Sequence, residues 1–369
     1  MIELVAGEFY KARPLFEGLM GYQMFCAGVL EGIYAGRVWV DAADQPSCGF
    51  VCKDGMWWFL AGDPQQAAFG QALNRALFER EVSGEKGWGG MLVCQPEAWE
   101  AQMATIYAPH VPIQTERLHY VCRGLRADWR AAIPAGVEVR FVDEGLAASG
   151  IVVEGAAAEV LRLRQGAADA DGQAVGFVAI HEEKIVASSV IDCIVKRGGD
   201  IGLYTDPAYR RRNLAYVTAA AVIEYALAHG VEVVHWDCES FNRGSIRTAE
   251  KLGLIFSHAH TMYTLIFNPV RHELNRAWGE LDKGQSAAAL AICLEGIKRG
   301  GEQAQAEYFY IAARCYWMDG ARDEAARFLG LAAAGGWDGL EEMQGDFGAL
   351  EGHEKWEAIV ARVTQNAGG

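Results

Sequence analysis

Hydrophobic and polar positions change period several times along the chain. Ser47–Lys53 and Met56–Ala61 are short β-like runs, and Asp54-Gly55 between them is a two-residue hairpin signal. The period then lengthens. Ala68, Leu73, Ala76 and Leu77 recur at helical spacing and predict a helix over Gln65–Glu81. Met91–Gln95 and Glu116–Cys122 read as strands, and Glu97–Tyr107 as a helix entered from Pro96. Residues 1–122 therefore form an α+β region, with Trp57, Trp58, Trp88 and Trp99 supplying core or an interdomain face. Gly124, Pro134 and Gly136 mark a boundary. Beyond it come a strand at Val137–Val142, a helix over Val153–Gln165, a polar turn at Ala167–Gly172, and an antiparallel pair, Gly176–Ile180 and Ile185–Val195, around Glu182-Glu183. Val231–Cys238 is a further strand, Asn242–Leu252 a helix, and Phe256–Phe267 the last strand or pair of strands. From Pro269 onward Ala, Leu and Glu dominate, with helices clearest at Tyr308–Trp317, Arg322–Ala334 and Trp356–Thr364.

The stretch Asp200–Gly230 organises the middle of this pattern. Ile201 and Leu203 share one strand face, and Asp206-Pro207 stops the strand. The helix that follows is apolar on nearly every side up to His229 and ends at Gly230, so it must be buried. Its first-turn N–H groups lack partners inside the helix, and its dipole makes that end positive. Arg210, Arg211 and Arg212 stand beside it, which together makes a site suited to phosphate.

Charge narrows the partners. A net charge of −15 argues against nucleic acid and anionic membrane, and favours cations, which amines are before they react. The 369 residues predict two or three domains, and 51% hydrophobic content supports a sizeable core. No apolar run is long enough to span a bilayer, and the opening MIELVAGEFYKARPLF lacks a signal-peptide layout. Nine scattered cysteines predict free thiols in a reducing, cytoplasmic setting. Cys48 and Cys52 read as buried small side chains. His258 and His260 share a strand face, a spacing that can ligate zinc, but no third ligand announces itself and no metal is expected.

Arg210-Arg211-Arg212-Asn213-Leu214-Ala215 resembles the phosphate-binding motif Arg/Gln-x-x-Gly-x-Gly/Ala of the GNAT superfamily of N-acetyltransferases. Asn213 stands where glycine is usual, and Asn is the next most tolerant residue of the left-handed region. A second piece runs from Trp236 to Leu254. There Asn242 is a good N-cap for the Ser245 amide, and Lys251-Leu252-Gly253 resembles the family's helix ending. One branch, which includes zwittermicin-resistance-type acetyltransferases, carries an extra N-terminal domain resembling residues 1–122. The run Tyr310–Gly320 followed by Asp323–Ala332 resembles a single tetratricopeptide hairpin.

The resemblance implies an α/β (α+β) GNAT fold: a mixed, mostly antiparallel twisted sheet flanked by helices. It divides the chain into an N-terminal domain (1–122, degenerate and GNAT-like), a catalytic domain (123–268) and a helical TPR-like domain (269–369). It implies acetyl-CoA as co-substrate and direct transfer to a primary amine of a small molecule. Alternatives are a protein amine as acceptor, or a non-catalytic acyl-CoA-binding or interaction module with a partner or second copy on the helical tail. Amides around Arg211, Arg212, Asn213, Leu214 and Ala215, with Arg210, would hold pyrophosphate. Backbone near Leu203, Tyr204 and Thr205 would face the acetyl carbonyl. Asn242 and Ser245 would line the pantetheine arm. Many members carry a tyrosine at the position of Ala249 to protonate the leaving thiolate. Tyr204, Tyr209, Ser245 or a water is the substitute here, and Glu239, Asp237, His235 or Glu182 the candidate base, with Glu239, Tyr204 and Asp237 foremost.

Overall fold

The computed structural model describes residues 1–82, 88–125, 128–166, 174–300 and 305–368. The chain separates into two compact units. The first comprises Met1–Ala108 and Gln114–Thr264, and the second Pro109–Ile113 and Leu265–Gly369. The polar turn expected at Ala167–Gly172 lies outside the described residues.

The strands are β1 (Ile2–Leu4), β2 (Arg37–Val40), β3 (Cys48–Lys53), β4 (Trp57–Gly62), β5 (Gly89–Gln95), β6 (Ile113–Cys122), β7 (Val137–Phe141), β8 (Val175–His181), β9 (Lys184–Val195), β10 (Gly198–Thr205), β11 (Val233–Glu239) and β12 (Ile255–Ile266). Among the described residues they form one sheet in the order β1-β2-β3-β4-β5-β12-β6-β11-β10-β9-β8-β7. The β3–β4 hairpin turns at Asp54 (φ 53°) and Gly55 (φ 73°), both left-handed as the Asp-Gly pair dictates. Phe256–Phe267 proves to be one strand, β12.

The helix Leu214–Ala228 is buried on nearly all sides: Val217, Ala219, Ala220, Val222 and Ile223 have no exposure. Such burial is worth about 1.5–3 kcal/mol for each large aliphatic side chain, so packing holds this helix in place. Trp236 on β11 is 1% exposed and packs in the same cluster. Trp58 and Trp99 are core, but Trp88 is 46% exposed, which removes the core alternative of the two expected for it. No helix among the described residues is long and apolar enough to cross a membrane.

The second unit is helical: Pro269–Asp282, Ser286–Arg299, Gln305–Met318, Arg322–Ala334, Leu340–Phe347 and Trp356–Ala367. Tyr310, without exposure, stacks on Trp337 at 4.1 Å and meets Phe347 edge-on. His272 is tied at both ring nitrogens: Nδ1 accepts from the Ile266 amide at 3.1 Å and Nε2 donates to the Val111 carbonyl at 2.7 Å.

Candidate active site

Two parallel strand pairs in the first unit share a plan. In each, a hairpin leads into a strand, a helix crosses over, and the next strand returns parallel to the first. The β4–β5 pair, joined through the helix Ala67–Phe78, stays zipped over five consecutive partners from Trp57↔Met91 to Ala61↔Gln95. The β10–β11 pair, joined through the helix Leu214–Ala228, makes only three: Gly198↔Val233, Gly199↔Val234 and Asp200↔His235. A bulge in the pairing of β10 with β9 falls between Asp200 and Ile201, at the point where β11 is left behind. Ile201–Thr205 therefore border a gap that opens toward the carboxyl ends of the strands. Crevices at that end are where α/β sheets bind ligands.

At the mouth of this gap the chain turns into the buried helix. Asp206 shapes the turn: Oδ1 accepts from the Ala208 amide at 3.0 Å, and Oδ2 accepts from Lys184 Nζ at 2.6 Å. Arg211 (φ 64°) and Asn213 (φ 62°) are both left-handed. Asn213 thus adopts the conformation a glycine would supply there. No side chain caps this helix start, so its leading amides face outward. Arg210, Arg211 and Arg212 are exposed, and among the described residues none is held in a salt bridge. Arg212 lies over the Tyr209 ring at 5.1 Å. Lys251, from the last turn of the helix Arg243–Lys251, donates to Asn213 Oδ1 at 2.9 Å and sits 4.1 Å from the Tyr216 ring centroid. In the sequence Lys251 reads only as part of a helix ending, and its place beside Asn213, 38 residues away, is not visible there.

The remaining candidates fall into three groups. Leu203 and Thr205 are half-buried on the gap strand, and Tyr204 between them is 57% exposed. Asn242 Oδ1 accepts from the Ser245 amide at 3.1 Å, as its N-cap position requires, and Ser245 Oγ accepts from Trp236 Nε1 at 3.1 Å. The Ser245 hydroxyl is also a hydrogen-bond partner of the Cys238 thiol. Asp237 and Glu239 converge on Arg117 of β6, whose Nε binds Asp237 and whose Nη1 donates to Glu239 Oε1 at 2.6 Å. Among the described residues Tyr204 shares no hydrogen bond or ion pair with that ion cluster.

Asp237 belongs to a buried polar cluster. Its Oδ2 lies 3.3 Å from His260 Nε2 and 3.7 Å from His119 Nδ1, and His119 Nε2 meets His235 Nδ1 at 3.2 Å. Tyr22 packs edge-on to His119 and His258. Burial holds His235 and His260 down at about 4, so both imidazoles are neutral at pH 7. Burial raises the Asp237 carboxyl, but His119 and Arg117 outweigh it and hold the group below the usual carboxylate range. Among the described residues no group of three or more His, Cys, Asp or Glu could hold a metal ion. Cys238 is 3% exposed and burial pushes its thiol up, which disfavours the thiolate a nucleophile needs. All nine cysteines are unbonded. Ala249, at the tyrosine position of many relatives, is wholly buried.

A family model described as GNAT acetyltransferase matches residues 13–263. An uncharacterized N-acetyltransferase of Bacillus subtilis strain 168, YdfB, is 22% identical over 239 residues, which cover 65% of this chain and 89% of that one. The crystal structure of a GCN5-related N-acetyltransferase-like protein from Streptococcus suis 89/1591 is similar with a TM-score of 0.51 at 22% identity, covering 70% of this chain and 98% of that chain. The family match spans more than half of the sequence and includes the open strand pair and the arginine-flanked helix start, so the chain belongs to the GNAT acetyltransferase family and is an acyltransferase.

Proposed function

We propose that the chain transfers an acetyl group from acetyl-CoA to a primary amine of a small molecule by direct attack. The observation that carries this reading is the gap between β10 and β11 with an uncapped, arginine-flanked helix start at its mouth. The coenzyme's pyrophosphate docks on the amides of Arg211–Ala215, with Arg210, Arg212 and Lys251 countering its charge. The pantetheine arm enters the gap past Asn242 and Ser245. Strand amides at Leu203–Thr205, released from pairing with β11, face the thioester carbonyl and stabilise the oxyanion as it forms. Tyr204 protonates the departing thiolate. Asp237 and Glu239, fixed by Arg117, hold the acceptor side negative and attract a cationic amine, in keeping with the net charge of −15.

Residues 1–122 act as a degenerate GNAT-like domain, 123–268 as the catalytic domain, and 269–369 as a TPR-like packing or oligomerisation appendage. Unbonded cysteines fit a cytoplasmic setting, and neither nucleic acid nor membrane is a partner. A non-catalytic acyl-CoA-binding module is the second reading, favoured by Ala249 in the place of a proton donor. The deciding experiment incubates the protein and acetyl-CoA with a broad panel of small amines and follows free thiol. Amine-dependent thiol release is expected. Tight coenzyme binding without release over the whole panel would favour the binding module instead.

A further inference from the structure

Something must keep β10 apart from β11 beyond Asp200. We infer that Tyr34 does so: its hydroxyl pins the bulged end of β9, and the pinned bulge holds the gap open for the pantetheine arm. Tyr34 is then a positioning residue, supplied by residues 1–122 to a site built elsewhere in the same unit. This rests on the acetyl-CoA reading.

The chain carries its own comparison. Leading into the closed β4–β5 pair, β3 and β4 run in unbroken register from Cys48↔Gly62 to Lys53↔Trp57. Leading into the open β10–β11 pair, β9 faces β10 with one residue too many. Cys193 partners Asp200 and Ile191 partners Ile201, so Asp192 is left over. A leftover residue bends its strand and sharpens the local twist. β10 follows β9 through that bend and leaves β11 at the same rung. The opening therefore depends on the bulge staying where it is.

On its other side the bulge has no strand to fix it. Among the described residues β8 pairs with β9 no further than Val175↔Ile191, so Asp192–Val195 present an edge there. In a strand the N–H and C=O of one residue point to the same side, and both need partners when buried. For Ile194 a single hydroxyl serves both. The Ile194 amide donates to Tyr34 Oη at 2.9 Å, and Tyr34 Oη donates to the Ile194 carbonyl at 3.3 Å. A neutral phenol both accepts and donates, and burial raises the Tyr34 hydroxyl further above its ordinary value, so it stays neutral.

The hydroxyl sits on a rigid mount. The amides of Ile33 and Tyr34 both donate to the Gly28 carbonyl, at 2.9 and 3.1 Å, and close the turn after the helix Met24–Leu30. Gly28 also makes room for the ring: a Cβ there would collide with the edge of Tyr34 and stand 3.2 Å from Val195 Cγ2. Met24 and Ala27 of the same helix pack with Cys193 and Val195, the neighbours of Ile194. Without the pin, two backbone groups of Ile194 lose their partner. The bulge is then free to slide along β9, and β10 to zip onto β11 as β4 zips onto β5. The coenzyme has to reopen the pair, and that cost appears as lost affinity.

The test separates the two ends of the coenzyme. Acetyl-CoA needs the gap, whereas 3′-phosphoadenosine 5′-diphosphate carries the same diphosphate and no pantetheine arm. Tyr34→Phe should weaken acetyl-CoA binding by about tenfold and change the nucleotide's affinity, read by displacement, by less than about twofold. Gly28→Ala, which pushes the ring aside with its hydroxyl intact, should give the same split, and the double variant should lose no more than the larger single loss. Equal weakening of both ligands, or none for acetyl-CoA, would overturn the pin and leave the acetyltransferase reading intact. Should neither variant fold, hydrogen exchange of the Ile194 amide in the wild type decides: it should be slow, and slower still with acetyl-CoA bound. An amide that exchanges freely or ignores the coenzyme would overturn the pin. A wild type that binds acetyl-CoA but not the nucleotide would remove the diphosphate docking and the pin together, and one that binds neither would remove the coenzyme reading itself.

Discussion

Arg117→Ala is expected to destabilise the sheet unit by about 3–5 kcal/mol, because it leaves a largely buried carboxylate without its cation. The guanidinium and Asp237 are each only 17% exposed, and burial works against the charge of both. Removing one partner forfeits the attraction and the hydrogen bonds but keeps the desolvation cost of the other. Glu239 is the internal control. It meets the same guanidinium but is 32% exposed, and Glu239→Gln should cost no more than about 1 kcal/mol. Hydrogen exchange of the β6 and β11 amides reads the stability of this unit separately from the helical one. Equal effects of the two substitutions would mean that the pair is not a buried ion pair in solution.

The sheet unit should be most stable near pH 6.5 and lose stability on both sides. On the acid side, His235 and His260 titrate at about 4 in the fold, against about 6.5 unfolded. Between those values the unfolded chain binds protons that the folded chain refuses, so stability falls as pH falls. Each group contributes up to about 1.4 kcal/mol per pH unit. His258, also lowered chiefly by burial, acts in the same direction. Asp200 acts oppositely. Its folded value of about 8 lies above the unfolded value near 3.9, so the folded chain holds a proton there and stability falls as pH rises toward 8. Below pH 6.5 the histidines outnumber it, and above pH 6.5 it acts alone among these groups. Melting at pH 5, 6.5 and 8 tests this, and Asp200→Asn should abolish the alkaline decline. A wild-type curve that is flat from pH 6.5 to 8 would refute the buried state of Asp200.

What the sequence made legible was local. Asp54-Gly55 announced its hairpin because both residues tolerate the left-handed backbone the turn adopts, although the register Lys53↔Trp57 makes the loop three residues long, with Met56 in it. The Leu214–Ala228 helix announced its burial because no face of it is polar. Asn242 and Ser245 lie within one helical turn, so their cap could be read from spacing alone. The short strands β1 and β2, with three and four residues, carry too little periodicity to be found. The polar cluster was hidden for another reason: His119 and His235 stand 116 residues apart and meet only because β6 pairs with β11. Asp237 and His235 were singled out individually, but their shared partner was not. The opening of the β10–β11 pair is likewise a matter of register. Its strands read as ordinary until compared with the zipped β4–β5 pair.

The most direct measurement is calorimetric titration of acetyl-CoA into the wild type, Arg210→Ala and Arg212→Ala. One site per chain is expected, since among the described residues the β10–β11 pair is open and the parallel β4–β5 pair is closed. Each arginine substitution should weaken binding by about tenfold or more while leaving melting unchanged. Absence of binding, or the same affinity in all three proteins, would contradict the docking of the coenzyme's diphosphate at the start of the Leu214 helix.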